Sequence, residues 1–404
     1  MSDARRDPLD PRSTANGSLA GAVDATESFA ALLTAEDPAA APGSESEVAI
    51  WAVVLAGGIG SRFWPLSSSH RPKQLLTLLS ERPLIAETID HLHPLIPSER
   101  VLVVTSRDIA PAIAAALPSV PARNILVEPE PSGTAAALAW GATEIRRRAG
   151  PEAICCGVHA DIAIGFGAAF HDTLRSATRL AAQNDVLVGI GVPISRPEPG
   201  FGYVVTGEAA DSTPSDAEPI ARRVLSFVEK PDAERAAYLQ RRGALWHSGI
   251  FAWRARVLLE ALAERTPEVA SGLPLLARGD HEGFMQAIAS ISIERGLFER
   301  CHDMIVVPGD FGWDDVGTWA SLRRARELDD DGNGVVGSCS LHDATGNVVH
   351  AEASTVVLYG VSGLLVVSLN GLTFVTTLSR ATDLRAMLDS LPEDLRKPNT
   401  APPV

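Results

Sequence analysis

Between residues 49 and 193, runs in which nearly every position is apolar alternate with longer stretches that repeat apolar residues at helical spacing. The runs are "AIWAVVLAGG" from 49, "RVLVVTS" from 100, "AICCGVHAD" from 153 and "DVLVGIGVP" from 185. Alanine-rich stretches, "SGTAAALAWGATEIRRRAG" from 132 and "FHDTLRSATRLAAQN" from 170, are interleaved with them. A strand without polar alternation is buried on both faces, so this order predicts an α/β fold, a mostly parallel sheet with helices on both sides. Ligands of such sheets sit at the carboxyl ends of the strands. From about residue 333 the pattern becomes a series of short β-rich runs, "GNVVHAEASTVVLYGVSGLLVVSLNGLTFVTT", in which Asn370-Gly371 reads as a hairpin turn. The expected division is a disordered extension over 1–47, with a short helical possibility at "ESFAALL", a main domain over 48–332, a small β-rich domain over 333–390 and a tail over 391–404.

Composition narrows the choice of ligand. A 404-residue chain with 46 % hydrophobic and 21 % charged residues can bury a large core. Its formal charge of -15 gives no general attraction to nucleic acid or anionic lipid, so any anion site must be local. The chain shows no apolar stretch of about 20 residues that could span a membrane. Its start, "MSDARRDPLD", has no signal-peptide pattern, and a cytoplasmic location is expected. Four cysteines, with Cys155 and Cys156 adjacent, lack metal-ligand spacing and suit reduced, packed thiols. Only three lysines are present, at 73, 230 and 397, against a background rich in arginine. Lysine supplies a compact point charge where the broad guanidinium fork does not fit, which singles out Lys73 in "RPKQ" and Lys230 in "FVEKPD".

The stretch "VVLAGGIGSRFWPLSSSHRPKQLL" from 53 runs a strand into Gly57, Gly58 and Gly60, whose backbone N–H groups lack Cβ obstruction. Such a loop is either a tight turn or a phosphate cradle, and Arg62 and Lys73 add charge for the second. The spacing fits neither GxxxxGK[ST] nor GxGxxG. Asp161 closes the apolar run at 153, and Asp315 precedes Gly317. Each by itself suits a helix cap or turn as well as a metal ligand.

Together these residues resemble the signature of the sugar-nucleotide pyrophosphorylases, and "RFWPLS" is similar to the form found in the mannose-1-phosphate guanylyltransferase branch. "EPEPSGTAAALAWGA", "HADIAI", "GFGYV", "FVEKPD", "WHSGIFAWRA" and "FGWDDVGTW" follow in that family's order across residues 50–325. The resemblance implies a Rossmann-like nucleotidyltransferase core and a small domain like a short left-handed β-helix. It implies transfer of GMP from GTP to mannose-1-phosphate, through attack of the sugar phosphate on the α-phosphorus with pyrophosphate leaving. An ionised phosphate needs no general base, so catalysis would be positioning and charge neutralisation.

By the same resemblance Arg62 and Lys73 are catalytic. Leu55, Gly57, Gly58, Gly60, Glu128, Gly133 and Thr134 bind the nucleotide. Gly202, Tyr203, Glu229, Lys230, His247 and Ser248 bind the sugar phosphate, with Gly202 giving the sugar close approach. Asp161 and Asp315 hold Mg²⁺, or Mn²⁺, with Asp314 the adjacent competitor. A homodimer is also implied. Four departures stand out: His247 for asparagine, Ser132-Gly133 for arginine-asparagine, Ile162 for the histidine after the metal aspartate, and Glu294 for aspartate. They leave open a related enzyme with another nucleotide or hexose phosphate, or a weakly active sugar-nucleotide-binding regulator. A histidine at 247 would be able to gain charge near pH 6.5. His159 reads as a packing or surface residue, and Trp64, Trp246, Trp313 and Trp319 as loop anchors.

Overall fold

The computed structural model describes residues 48–58, 63–68, 71–210, 221–369, 371–381 and 384–396. The expected extension over 1–47 with its "ESFAALL" segment, Gly60, Arg62, Asn370 and the last eight residues lie outside that set. The main sheet comprises β1 (Ile50–Leu55), β2 (Val101–Ser106), β3 (Ile125–Glu128), β4 (Ile154–His159), β5 (Leu187–Pro193), β6 (Gly202–Ala209), β7 (Arg222–Glu229), β8 (Leu245–Arg254) and β9 (Met304–Pro308). Their order across the sheet is β3-β2-β1-β4-β8-β5-β9-β7-β6.

The doubly covered sheet follows from side-chain alternation within the apolar runs. Ala52 and Val54 face one core, shared with Phe170 and Leu174 of α2 (Gly167–Gln183). Val53 and Leu55 face the other, against α1 (Thr134–Ala149) and α3 (Ala255–Arg265). Both faces are apolar because both are buried, each large side chain contributing about 1.5–3 kcal/mol. Strand direction is where the expectation needs refinement. β1 to β4 are parallel, but β8 runs antiparallel to both β4 and β5, and β7 antiparallel to β6 and β9. An all-apolar run reports burial and carries no information on direction.

The three arginines that end α1 behave as helix-terminal cations: Arg147 and Arg148 pair with Glu144, and Arg148 also lies over the Trp51 ring. All four cysteines are free thiols. No helix among the described residues is long and apolar enough to cross a membrane.

The second sheet is ordered β10 (Gly334–His342), β11 (Val348–Tyr359), β12 (Leu364–Leu369), β13 (Leu372–Thr377). β10, β11 and β12 stack in parallel, so that Val348 lies beside Leu365 and Thr345 beside Ser362, the pattern of a coil. β12 and β13 pair antiparallel from Leu364–Thr377 to Leu369–Leu372, the hairpin expected around Gly371. The coil shares one apolar core with the loop after β1: Phe63, Leu66 and Leu76 pack with Trp319, Val348, Leu365 and Val367. Trp319 donates its indole N–H to the carbonyl of Trp64 at 3.0 Å, and Trp64 stacks edge-on against Phe374 of β13, so both tryptophans anchor this junction.

Candidate active site

Two cavities open along one edge of the sheet, at the carboxyl ends of β1 to β4 and β7 and the amino ends of β6 and β8, and share Lys73, Thr134, His159 and Asp161 as a common wall. The first, about 320 Å³, is lined by Leu55, Gly57, Gly58, Glu128, Gly133 and Thr134, among others. Its floor is set by Ala56, whose carbonyl accepts from Gln74 Nε2 at 2.8 Å and Thr105 Oγ1 at 3.0 Å, fixing the entry to the glycine turn. Glu128 ends β3 with 5 % of its surface exposed, and its Oε1 has no hydrogen-bond partner. Burial pushes its carboxyl up to about 7.

Gly133 caps α1 at φ 86° and ψ 163°, a conformation open essentially to glycine. A Cβ there would lie 2.3 Å from the main-chain oxygen of Ile291. Thr134 Oγ1 accepts from the N–H of Ile293 at 2.8 Å, so the start of α1 is stitched to the 291–294 segment. Gly133→Ala is expected to destabilise the protein by about 3 kcal/mol or more, read as a shifted urea midpoint at unchanged m. An unchanged midpoint would mean this junction yields easily.

The second cavity, about 570 Å³, is lined by Gly202, Glu229, Lys230, His247, Glu294, Trp313 and Asp315, among others. Glu229 ends β7 and its carboxyl is raised by burial, although Lys230 beside it pulls the other way. Lys230 and Val316, two of the three non-glycine residues with positive φ among the described ones, have φ of 49° and 46°, a left-handed conformation costly for non-glycine residues. His247 lies among Phe227, Phe251 and Phe298, with Nε2 unpartnered and 4.0 Å from Glu294 Oε1. Two of the four departures from the family pattern therefore face each other.

The expectation that His247 titrates near pH 6.5 is corrected by its surroundings. Burial lowers it to about 4, so it stays neutral in the working range. Between pH 6.5 and 4 the unfolded chain takes a proton that the folded one refuses, and stability falls as pH drops through that window. His247→Asn should remove about 2–3 kcal/mol of this acid-side loss between pH 6.5 and 4.5. Paired urea titrations at the two pH values would check it; an identical pH dependence in both proteins would refute it.

At the shared wall Lys73 Nζ lies 2.8 Å from Asp161 Oδ2 and donates to the main-chain oxygen of Asp315 at 2.7 Å. Burial works against ionisation of Asp161, but Lys73 and His159 outweigh it and hold the carboxyl below its usual range. For Asp315 burial prevails over Lys73 and lifts it to about 6. Asp314 turns away, accepting from the N–H of Val316 and pairing with Arg324 at 2.9 Å. Asp161 and Asp315 present hard oxygen donors beside the wall where the cavities meet. This donor set fits a magnesium-type cation whose remaining ligands come from phosphate oxygens. Among the described residues no cluster of three or more His, Cys, Asp or Glu side chains forms a cation cage.

Several expected contacts are redirected. Tyr203 is fully buried, and its hydroxyl donates to the carbonyl of Glu198 and accepts from that residue's N–H, so it reaches no cavity. Ser248 lines the second cavity, but its hydroxyl donates to the carbonyl of Ile190 at 2.7 Å, tying β8 to β5. The space a side chain at Gly202 would occupy is filled by Phe227 and Glu229, so the glycine makes room for that carboxylate. His159 packs against Gly249, in keeping with a packing role, and in addition lines both cavities. Trp313 lines the second cavity and also stacks with Phe201. Sequence reading passed over Gln74 as well, although "KQ" placed it beside Lys73. Gly60 and Arg62 cannot be placed, lying outside the described residues.

Residues 51–332 match the family model described as nucleotidyl transferase. A mannose-1-phosphate guanylyltransferase from Klebsiella pneumoniae is 31 % identical over 356 residues, spanning 85 % of this chain and 74 % of that protein. The alginate biosynthesis protein AlgA of Pseudomonas putida is 32 % identical over 357 residues, spanning 85 % and 72 %. Among solved structures, a mannose-1-phosphate geranyltransferase from Thermus thermophilus superposes with a TM-score of 0.75 at 31 % identity, covering 84 % of this chain and 98 % of that one. The paired cavities at the strand ends, the ordered motifs and these likenesses agree, and the chain belongs to the nucleotidyl transferase family, in its sugar-nucleotide pyrophosphorylase line.

Proposed function

We propose that this protein transfers GMP from GTP to mannose-1-phosphate, forming GDP-mannose and pyrophosphate. The observation that carries this reading is Glu128, a buried carboxyl whose Oε1 has no hydrogen-bond partner, in a cavity that meets a second one at Lys73 and Asp161. A carboxylate accepts two hydrogen bonds side by side. Guanine offers two adjacent donors on its pairing edge, whereas uracil and thymine flank one donor with acceptors.

With the base against Glu128, the triphosphate runs past Gly57 and Gly58 toward Lys73. Mannose-1-phosphate occupies the second cavity, its phosphate near Lys230 and its hydroxyls within reach of Glu229, His247 and Glu294. The sugar-phosphate oxygen forms the new bond to the α-phosphorus as the bond to the β-phosphate oxygen breaks and pyrophosphate departs. Lys73 sits where negative charge gathers in the transition state. Asp161 and Asp315 would hold Mg²⁺, or Mn²⁺, which when bound neutralises phosphate charge. A cytoplasmic setting and a homodimer belong to the same reading.

The test is pyrophosphate release by the purified protein, with GTP, ATP, UTP and dTTP each offered with mannose-1-phosphate and glucose-1-phosphate. Release confined to GTP with mannose-1-phosphate supports the reading. Preference for another hexose phosphate, which the His247 and Glu294 departures favour, would keep the mechanism and replace the acceptor. No release with any pair from folded protein would overturn it in favour of a binding regulator.

A further inference from the structure

Every residue lining the two cavities lies between 55 and 317, so the coil formed by β10 to β12 contributes none of them. The coil nevertheless grips the segment that carries Lys73. Arg71 donates through Nη1 to Glu352 Oε2 at 2.8 Å and through Nη2 to Glu352 Oε1 at 2.6 Å, a two-pronged pair with β11. Glu352 Oε1 is also 3.2 Å from His350 Nε2, and His350 Nδ1 is 3.2 Å from Arg326 Nη2. An arginine can only donate, so Nδ1 is the acceptor and Nε2 carries the proton given to Glu352.

Arg326 is itself buried and donates to the carbonyls of Leu78, Gly334 and Val349 at 2.6, 3.2 and 2.9 Å. The hydrogen-bond chain thus starts in the main domain, crosses a fully buried histidine in the coil and converges on Glu352, where Arg71, the residue two before Lys73, donates from the other side. Only Pro72 separates them, at φ -70°, leading into the 3-10 turn Lys73–Leu75. Little slack remains between the anchored guanidinium and the ammonium beside Asp161.

We propose that Glu352 is a positioning residue for the transfer reaction, holding Lys73 in register with Asp161 and Asp315 through Arg71. This rests on the reading that Lys73 serves phosphoryl chemistry. A solvent-exposed ion pair would contribute little. This one is two-pronged, partly buried and backed by a charged side chain inside the core, so its geometry is held firmly. Displacing a charged catalytic group by about an ångström costs on the order of 10²-fold in rate.

Glu352→Gln keeps an acceptor for His350 and removes the charge facing Arg71. The expected result is a fall in kcat of about 10- to 100-fold with KM for GTP within about 3-fold of wild type and near-native thermal unfolding. Arg71→Gln tests the same link with the Arg326–His350–Glu352 chain intact, and serves if Glu352→Gln fails to fold. If both act through one bridge, the double variant should be no slower than the slower single variant. Unchanged kcat in either folded variant, or rate losses that multiply in the double variant, would overturn the proposal. Lys73→Ala run alongside separates the two failures: if it abolishes transfer while Glu352→Gln does not, the bridge alone is wrong. If Lys73→Ala remains active, the reading of Lys73 falls and the proposal with it.

Discussion

Lys73→Ala is expected to cut turnover by about three orders of magnitude and leave the circular dichroism spectrum unchanged. Lys73 is the only lysine or arginine among the described residues that line both cavities, and only 7 % of its surface is exposed. A preorganised donor aimed at developing charge is worth about 10²- to 10³-fold in mutational tests, and here two polyanions must also be brought together. The fold should tolerate the change because Asp161, whose side chain is 35 % exposed, can be solvated when its partner goes. Lys73→Arg should be rescued only weakly, since the wider fork cannot sit between the Asp161 carboxylate and the Asp315 carbonyl. Single-turnover measurement of pyrophosphate release is the check; a loss below tenfold would remove Lys73 from the chemistry.

Glu128→Gln should lower kcat/KM for GTP by about 10²- to 10³-fold, because one donor of guanine would then face an amide N–H. The variant should also lose discrimination between GTP and inosine triphosphate, which lacks the second donor. The ionisation of Glu128 adds a pH signature. Its carboxyl stands at about 7, so below that pH the free enzyme holds a proton that must leave before both oxygens can accept. KM for GTP in the wild type is expected to rise as pH falls from 8 to 6, and in Glu128→Gln this dependence should vanish. Equal pH profiles for the two proteins would take Glu128 out of base recognition.

How far the sequence could be read depended on whether the physics was local. The runs around Val53 and Val158 announce buried strands because each position is apolar, and α1 and α2 announce themselves by spacing. The ordered motifs bring Lys73, Asp161, Glu229, Lys230 and Asp315 into the lining of one cavity. Other features depend on partners far away in the chain. Ser248 and Tyr203 sit in motif segments yet spend their hydroxyls on Ile190 and Glu198, which no pattern at 203 or 248 reveals. His159 gains its place by packing on Gly249. Arg71 and Glu352 meet across 281 residues, and nothing near either one signals the other. The resemblance selected Asp315 over Asp314, but the physical reason that Asp314 is already engaged, Arg324 ten positions on, is not visible at either aspartate.

The strand order carries a consequence for how such an enzyme changes over evolution. The first cavity draws on the ends of β1, β2, β3 and β4, the second on β6, β7 and β8 with His159 of β4, and in the sheet the two sets adjoin where β8 lies against β4. On the proposed assignment, the hexose and base sides can therefore change separately only away from the wall of Lys73, Thr134, His159 and Asp161 that both cavities share and from the Thr134–Ile293 hydrogen bond that joins them. The departures are accordingly spread over both cavities, Gly133 in the first and Ile162, His247 and Glu294 in the second, while Lys73 and Asp161 between them keep the pattern. Recombining the two halves of the sheet between relatives, with the joint placed at β8, becomes a rational route to new base and sugar pairings.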